Sequence, residues 1–371
     1  MDTKRTPLHV DERPPATAAR PVDTGDWTQR VGGLTALPGV LRDLGVDPGP
    51  LLARAGLSPD ALASSDGRVG FAAVVRLLAL SVQETGCAHL GLLVGKTWSL
   101  RQTGLAGELA WRSATVQDAL ETFTVHQRLN SMGGAAYLTR RPGTALLGFA
   151  VYHPQVAQLS VVYDLAVAAM VNGARELCGA GWSPDEVLLP RIRPDDERPY
   201  RDFFRCPVRF NSDRAALRIA GSALLRPSPG HDPARRRELE RQAAAADPAP
   251  LLPHLYRSLR LLMLEGGVTA DSVAQQFAMH RRTLDRRLRA HGTSFHAILS
   301  EVRYEVARQL LRDTCMPSAQ VGAAIGFREA ASFTRAFRQW SGMTPAAWRA
   351  AHGSGADAGA TAGRAPSEAR P

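Results

Sequence analysis

The chain has 371 residues, 44% of them apolar, and carries 45 Lys+Arg against 35 Asp+Glu. That length predicts two or three domains, each large enough to bury its own core, and the ordinary apolar fraction argues against disorder over most of the chain. The richest apolar stretches, 71–82 and 159–171, are interrupted by Arg76 and Asp164, so no membrane span is expected.

The first thirty residues lack the apolar core of a signal peptide. Cys87, Cys178, Cys206 and Cys315 are scattered without a CxxC pair, which suggests neither a metal site nor a disulfide framework. A cytoplasmic protein without a cofactor is the expectation. The positive charge is uneven: residues 254–352 hold 14 Arg against 7 Asp+Glu, most of the formal net charge of +10. A local excess of this kind points to a polyanionic partner.

In chain order, residues 1–29 are polar and Pro-rich and read as a disordered arm. Helical periodicity follows over 34–63 and 71–85, with Phe71, Val74, Leu77 and Leu78 on one face. A helix over 116–129 precedes a hairpin, 135–140 and 145–152, turning at Pro142-Gly143. Another helix is expected over 155–178. Strand-like 186–191, an aromatic segment 200–204, and strand-like 208–210 and 217–220 complete an α/β domain over 30–228. Residues 229–253 read as a Pro-rich linker with a short helix near 235–245, and 353–371 as a disordered tail.

From 254 to 352 the pattern is helical. Leu255, Leu259, Leu262 and Met263 share one face of a helix that stops at Gly266-Gly267. Thr269 is placed as an N-cap, with Asp271 in the first turn and Val273, Ala274 and Phe277 on the buried side. After a break at 278–280, Leu284 and Leu288 face inward while Arg282, Asp285, Arg286 and Arg289 share the opposite face. This is a helix-turn-helix pattern with an arginine-lined second helix, suited to the major groove. The guanidinium fork can bond guanine O6 and N7 together, or grip phosphate.

The pattern then recurs. A long helix over 295–313 carries Leu299, Val302, Val306 and Leu310 on one side and spans roughly 28 Å at ~1.5 Å per residue. A short helix over 318–325, ended by Gly326, leads to a second candidate reading helix over 329–341. There Phe333, Phe337 and Trp340 face inward, and Ala331, Thr334, Arg335 and Arg338 outward.

These residues resemble the DNA-binding domain of the AraC/XylS family of bacterial transcription regulators. The resemblance runs through Arg282-Thr283-Leu284-Asp285-Arg286-Arg287-Leu288, Gly292-Thr293-Ser294-Phe295, Ala324-Ile325-Gly326-Phe327, Ser332-Phe333-Thr334-Arg335-Ala336-Phe337 and Thr344-Pro345-Ala346-Ala347-Trp348-Arg349. It implies base or phosphate contacts by Arg282, Asp285 and Arg286 in the first unit and by Ala330, Ala331, Thr334 and Arg335 in the second. Arg289 and Arg338 join them on the outward faces, and Val273, Phe277, Leu284, Leu288, Phe327, Phe333 and Phe337 form the domain core. It further implies promoter DNA, RNA polymerase and a small-molecule effector as partners, with a homodimer possible, and an activator of a metabolic operon as the role. The sequence departs from the family pattern at Ala278 in place of a turn Gly, at His280-Arg281, at Pro317 and at Gly322.

Upstream, Leu37-Pro38-Gly39-Val40-Leu41, Ala55-Gly56-Leu57, Ala110-Trp111-Arg112-Ser113, Phe203-Phe204, Pro207-Val208-Arg209-Phe210-Asn211 and Leu225-Arg226-Pro227 resemble the effector domain of the subgroup containing the ornithine-utilisation regulator. The fold expected is thus an α/β effector domain followed by an all-α domain of two helix-turn-helix units joined by a long helix.

Blander readings stand beside these. The arginine faces could be solvated surface, with Asp285 and Arg289 paired at i, i+4. His280, His291 and His296 lack metal-ligand spacing. Arg112, His126, Arg128 and Tyr163 are candidates for gripping a carboxylate, though each is more often surface or core, and the effector residues stay unidentified. A DNA-binding regulator without ligand control is the main alternative. An α/β enzyme fused to a DNA-binding module has no G-x-S-x-G, Walker or H-E-x-x-H motif to support it.

Overall fold

The computed structural model describes residues 27–353 except 155, 246–249 and 267. Most of the expected arm, the tail beyond Gly353 and the middle of the expected linker therefore lie outside the described residues. The end of the arm is ordered: Trp27 is buried and β1 (Thr28–Arg30) begins the fold. The reason is apolar. Trp27 inserts its ring among Tyr152, His153 and Tyr256.

Residues 34–63 divide into a 3-10 turn (Gly32–Ala36), α1 (Leu37–Asp43) and α2 (Pro48–Ala55). The division follows from Gly45, left-handed at φ 79°, and from Asp47, which caps α2 ahead of Pro48. Then β2 (Arg68–Gly70) pairs antiparallel with β1 and leads into α3 (Phe71–Thr85). Next come α4 (Leu90–Gly95), α5 (Leu105–Trp111) and α6 (Val116–His126), the last opened by a capping box between Thr115 and Asp118.

The expected hairpin is β3 (Gly134–Arg141) and β4 (Thr144–Val151). The helix expected from 155 begins later, as α7 (Ser160–Cys178). It is followed by β5 (Glu186–Leu188), α8 (Arg198–Phe204), β6 (Val208–Arg209), β7 (Ala215–Ala220) and α9 (Gly221–Leu224). The aromatic segment is thus helical. Five strands form one sheet in the order β3-β4-β7-β5-β6, antiparallel except for β5 and β6. The first half is a mixed α/β unit with α7 buried along much of its length.

Within the expected linker, α10 (Pro233–Ala244) is a packed helix rather than a tether. Leu239 and Ala243 bury against Leu109 of α5, and the Arg236 guanidinium donates to the Ser113 and Thr122 hydroxyls. From there the chain is helical: α11 (Leu251–Glu265), α12 (Ala270–Gln276), α13 (Arg281–Ala290), α14 (Phe295–Asp313), α15 (Ser318–Ala324), α16 (Ala330–Ser341) and α17 (Pro345–His352).

Candidate nucleic-acid interface and effector cavity

Each helix-turn-helix is built by local capping and a small apolar core. Thr269 caps α12 in a reciprocal box with Ser272, satisfying amide donors that a helix start leaves open. The turn into α13 runs through Ala278 at φ 49°, a left-handed conformation a glycine would adopt without the Cβ penalty. His280 replaces the usual hydroxyl cap: its Nδ1 accepts from the Arg282 amide at 3.3 Å. Leu284 and Leu288 are buried, whereas Arg282, Arg286 and Arg289 are exposed and Asp285 is half-buried. The i, i+4 ion pair between Asp285 and Arg289 is not formed, and among the described residues Arg282, Arg286, Arg289 and Arg338 have no ion-pair partner.

In the second unit, Phe333 and Phe337 are fully buried, and Phe327, Trp340 and Trp348 pack around them edge-on or tilted. Gly322 has a packing reason. A Cβ there would sit 3.0 Å from Cβ and Cγ of Phe333, so its absence lets α15 lie close to α16. Pro317 provides no side-chain cap to α15. Ala330, Ala331, Arg335 and Arg338 are exposed; Thr334 is half-buried and its hydroxyl donates back to the Ala330 carbonyl at 2.9 Å. The Arg335 guanidinium reaches the Ser332 hydroxyl at 3.1 Å. Val273 is buried, and Phe277 is half-buried against the His254 ring, centroids 4.4 Å apart.

The two units are joined by α14, which also touches the first half of the chain. α11 docks on β3 and β4, the Tyr163 hydroxyl of α7 donates to Gln309 of α14 at 3.5 Å, and the resulting core combines Trp27, Ala135 and Tyr152 with Leu255, Tyr256, Leu259 and Met263. Polar contacts cross the same boundary: Arg257 donates to the Thr124 carbonyl at 2.8 Å, and the Cys315 amide to Asn211 Oδ1 at 2.9 Å. The Tyr256 hydroxyl donates to Glu301 on α14, and burial holds the Glu301 carboxyl above its ordinary range.

A cavity of about 110 Å³ lies inside the first half, between α3, α6, α7 and the sheet. None of the four carboxylate-gripping candidates lines it. Arg112 is bound to Glu108, the His126 ring to the Thr122 carbonyl, and Tyr163 is buried beside Gln309 of α14. Arg128 is likewise absent from the wall. These residues were singled out by type, and their neighbours in space, invisible to the sequence, decide their contacts. The wall residue Phe71 stacks on His153, which meets Trp27, which meets Tyr256 of α11. Packed rings therefore connect the cavity to the helical second half.

Residues 45–228 match a model described as the arabinose-binding domain of AraC transcription regulators, and 273–351 match a helix-turn-helix domain model. The regulator VirS of Mycobacterium tuberculosis is 28% identical over 86% of this chain and 96% of its own. The ornithine utilization regulator of Pseudomonas aeruginosa is 26% identical over 85% of this chain and 94% of its own. Among solved structures, the regulator CdpR of Pseudomonas aeruginosa aligns at 23% identity and a TM-score of 0.38, over 81% of this chain and 96% of that one. With an effector-type unit ahead of two helix-turn-helix units, the chain belongs to the AraC-type family of DNA-binding transcription regulators.

Proposed function

We propose that the chain is an effector-responsive transcription activator that grips promoter DNA with α13 and α16 in successive major grooves. The observation that carries this reading is the pair of outward helix faces: Arg282, Asp285, Arg286 and Arg289 on one, Ala330, Ala331, Thr334, Arg335 and Arg338 on the other. α14, at ~1.5 Å per residue, separates the two units by close to one turn of the double helix. Arginine supplies phosphate grip and bidentate guanine readout; the alanines offer only methyl contact, so the first unit carries more of the sequence information.

In this reading residues 30–228 with α10 form the effector domain and 254–352 the DNA-binding domain. Docking of α11 on the sheet and of α14 beside α7 holds the DNA-reading half in one orientation. An effector acts by favouring one arrangement of that interface over another. Recruitment of RNA polymerase, pairing of two chains and a cytoplasmic location complete the proposal.

Footprinting on a promoter fragment selected from random sequence tests it. One bound chain is expected to protect two adjacent major-groove faces, and protection of a single face overturns the two-unit reading.

A further inference from the structure

The cavity has a wall that is almost wholly apolar, built from rings such as Phe71, Phe123 and Phe149 and from the small residues Ala166, Ala169 and Gly173 of α7. No Asp, Glu, Lys, Arg or His belongs to that wall among the described residues. Yet three residues of that wall each carry a buried polar atom without a hydrogen-bond partner: the Trp98 indole Nε1, Gln127 Oε1 and Asn130 Oδ1. All three residues are more than nine-tenths buried, at 7%, 2% and 6% exposure. A buried donor or acceptor left unpaired costs about 1–3 kcal/mol. Three such atoms, on residues that line one apolar space, form a polar set that a ligand could satisfy.

From this we infer that the cavity is the effector site and that its ligand is an uncharged, mostly apolar molecule bearing one or two hydrogen-bonding groups, such as a hydroxyl or a ketone. The inference rests on the reading of this unit as an effector domain and adds the class of effector. A hydroxyl would donate to the Gln127 or Asn130 carbonyl oxygen, and a carbonyl would accept from the Trp98 indole N–H. The hydrocarbon part would fill the space left by the small residues of α7.

The same wall argues against an amino acid or a sugar as the ligand. An amino acid such as ornithine would bring charges into a site without a countercharge, at a cost of several kcal/mol. A sugar would bury more hydroxyls than three protein atoms can satisfy. The site also touches the route to DNA, because Phe71 belongs both to the cavity wall and to the ring stack ending at Tyr256.

The test uses the full chain, thermal unfolding, and a panel of 1-decanol, 2-decanone, L-ornithine and L-arabinose. The two neutral compounds are expected to raise Tm saturably, by about 5 °C at a hundredfold excess over Kd, and to change Trp98 fluorescence. Two cavity-filling variants serve as controls. A Cβ at Gly173 has its nearest neighbour, Leu100, at 3.6 Å, so Gly173→Leu has room to start its side chain, and Ala169→Leu fills the same space from the same helix. Either variant that unfolds at or above the unliganded wild-type Tm is expected to lose the ligand-induced shift. Gln127→Leu is expected to weaken 1-decanol about tenfold.

A Tm rise with ornithine or arabinose instead, no rise with the neutral pair, or an undiminished rise in both filled variants overturns the inference. Neutral-ligand binding that leaves affinity for promoter DNA unchanged sustains the cavity assignment and overturns the effector-responsive reading.

Discussion

The rings of Phe71 and His153 lie nearly parallel, 20° apart with centroids separated by 5.6 Å, while His153 meets Trp27 edge-on at 4.9 Å. The imidazole Nδ1–H donates to the Pro154 carbonyl. This pair joins the cavity wall to the docking surface of α11, and it keeps a titratable ring in an apolar setting.

Burial pushes the His153 pKa down to about 4, against an ordinary value of 6.5. Between those values the unfolded chain binds more protons, so stability rises with pH and is lost as pH falls from about 6.5 towards 4. Urea unfolding at pH 7 and pH 5 is expected to show a fall of about 2 kcal/mol from this group. His153→Gln should flatten the difference. An equal fall in both proteins would assign the acid sensitivity to other groups.

A second prediction concerns Asp164, fully buried on α7. Its Oδ2 accepts from the Tyr200 hydroxyl at 2.7 Å and from the Arg191 guanidinium, while burial raises the carboxyl pKa. Arg191→Met leaves a buried carboxylate without its countercharge and should cost about 3–5 kcal/mol in chemical unfolding. Adding Asp164→Asn should recover a large part of that loss. Additive losses in the double variant would argue against the pairing.

Ala278 gives a change in the opposite direction. Its left-handed backbone makes Ala278→Gly stabilising by about 0.5–1 kcal/mol, after allowance for the greater freedom of glycine in the unfolded chain. Chemical unfolding is the measurement, and a destabilised variant would show that the turn tolerates the Cβ.

On the DNA side, Arg286→Ala is expected to cost about 1–3 kcal/mol and to relax preference at one base pair, as for a bidentate base contact. Binding titrations on the selected site and on scrambled DNA distinguish the cases. Equal weakening on both would mean that Arg286 holds phosphate.

The helices of the second half were legible because they repeat local rules. Thr269 and Ser294 occupy capping positions, and Leu284 with Leu288, and Phe333 with Phe337, recur at i, i+4. Gly322 could be read only as a departure until Phe333 was seen beside it. The short helix expected near 235–245 forms as α10, but its charged sequence did not reveal its packing: Leu239 and Ala243 fasten it to α5.

Sequence alone determined the succession of helices over 254–352, the concentration of arginine there and the faces of α13 and α16, since each depends on residues within a few positions of one another. The tertiary structure decided the rest. It placed Trp98, Gln127 and Asn130 around one apolar space, and seated Trp27 against Tyr256, more than two hundred residues away. Contacts closed over such separations follow no local period, and only the packed chain reveals which polar atoms they leave unsatisfied.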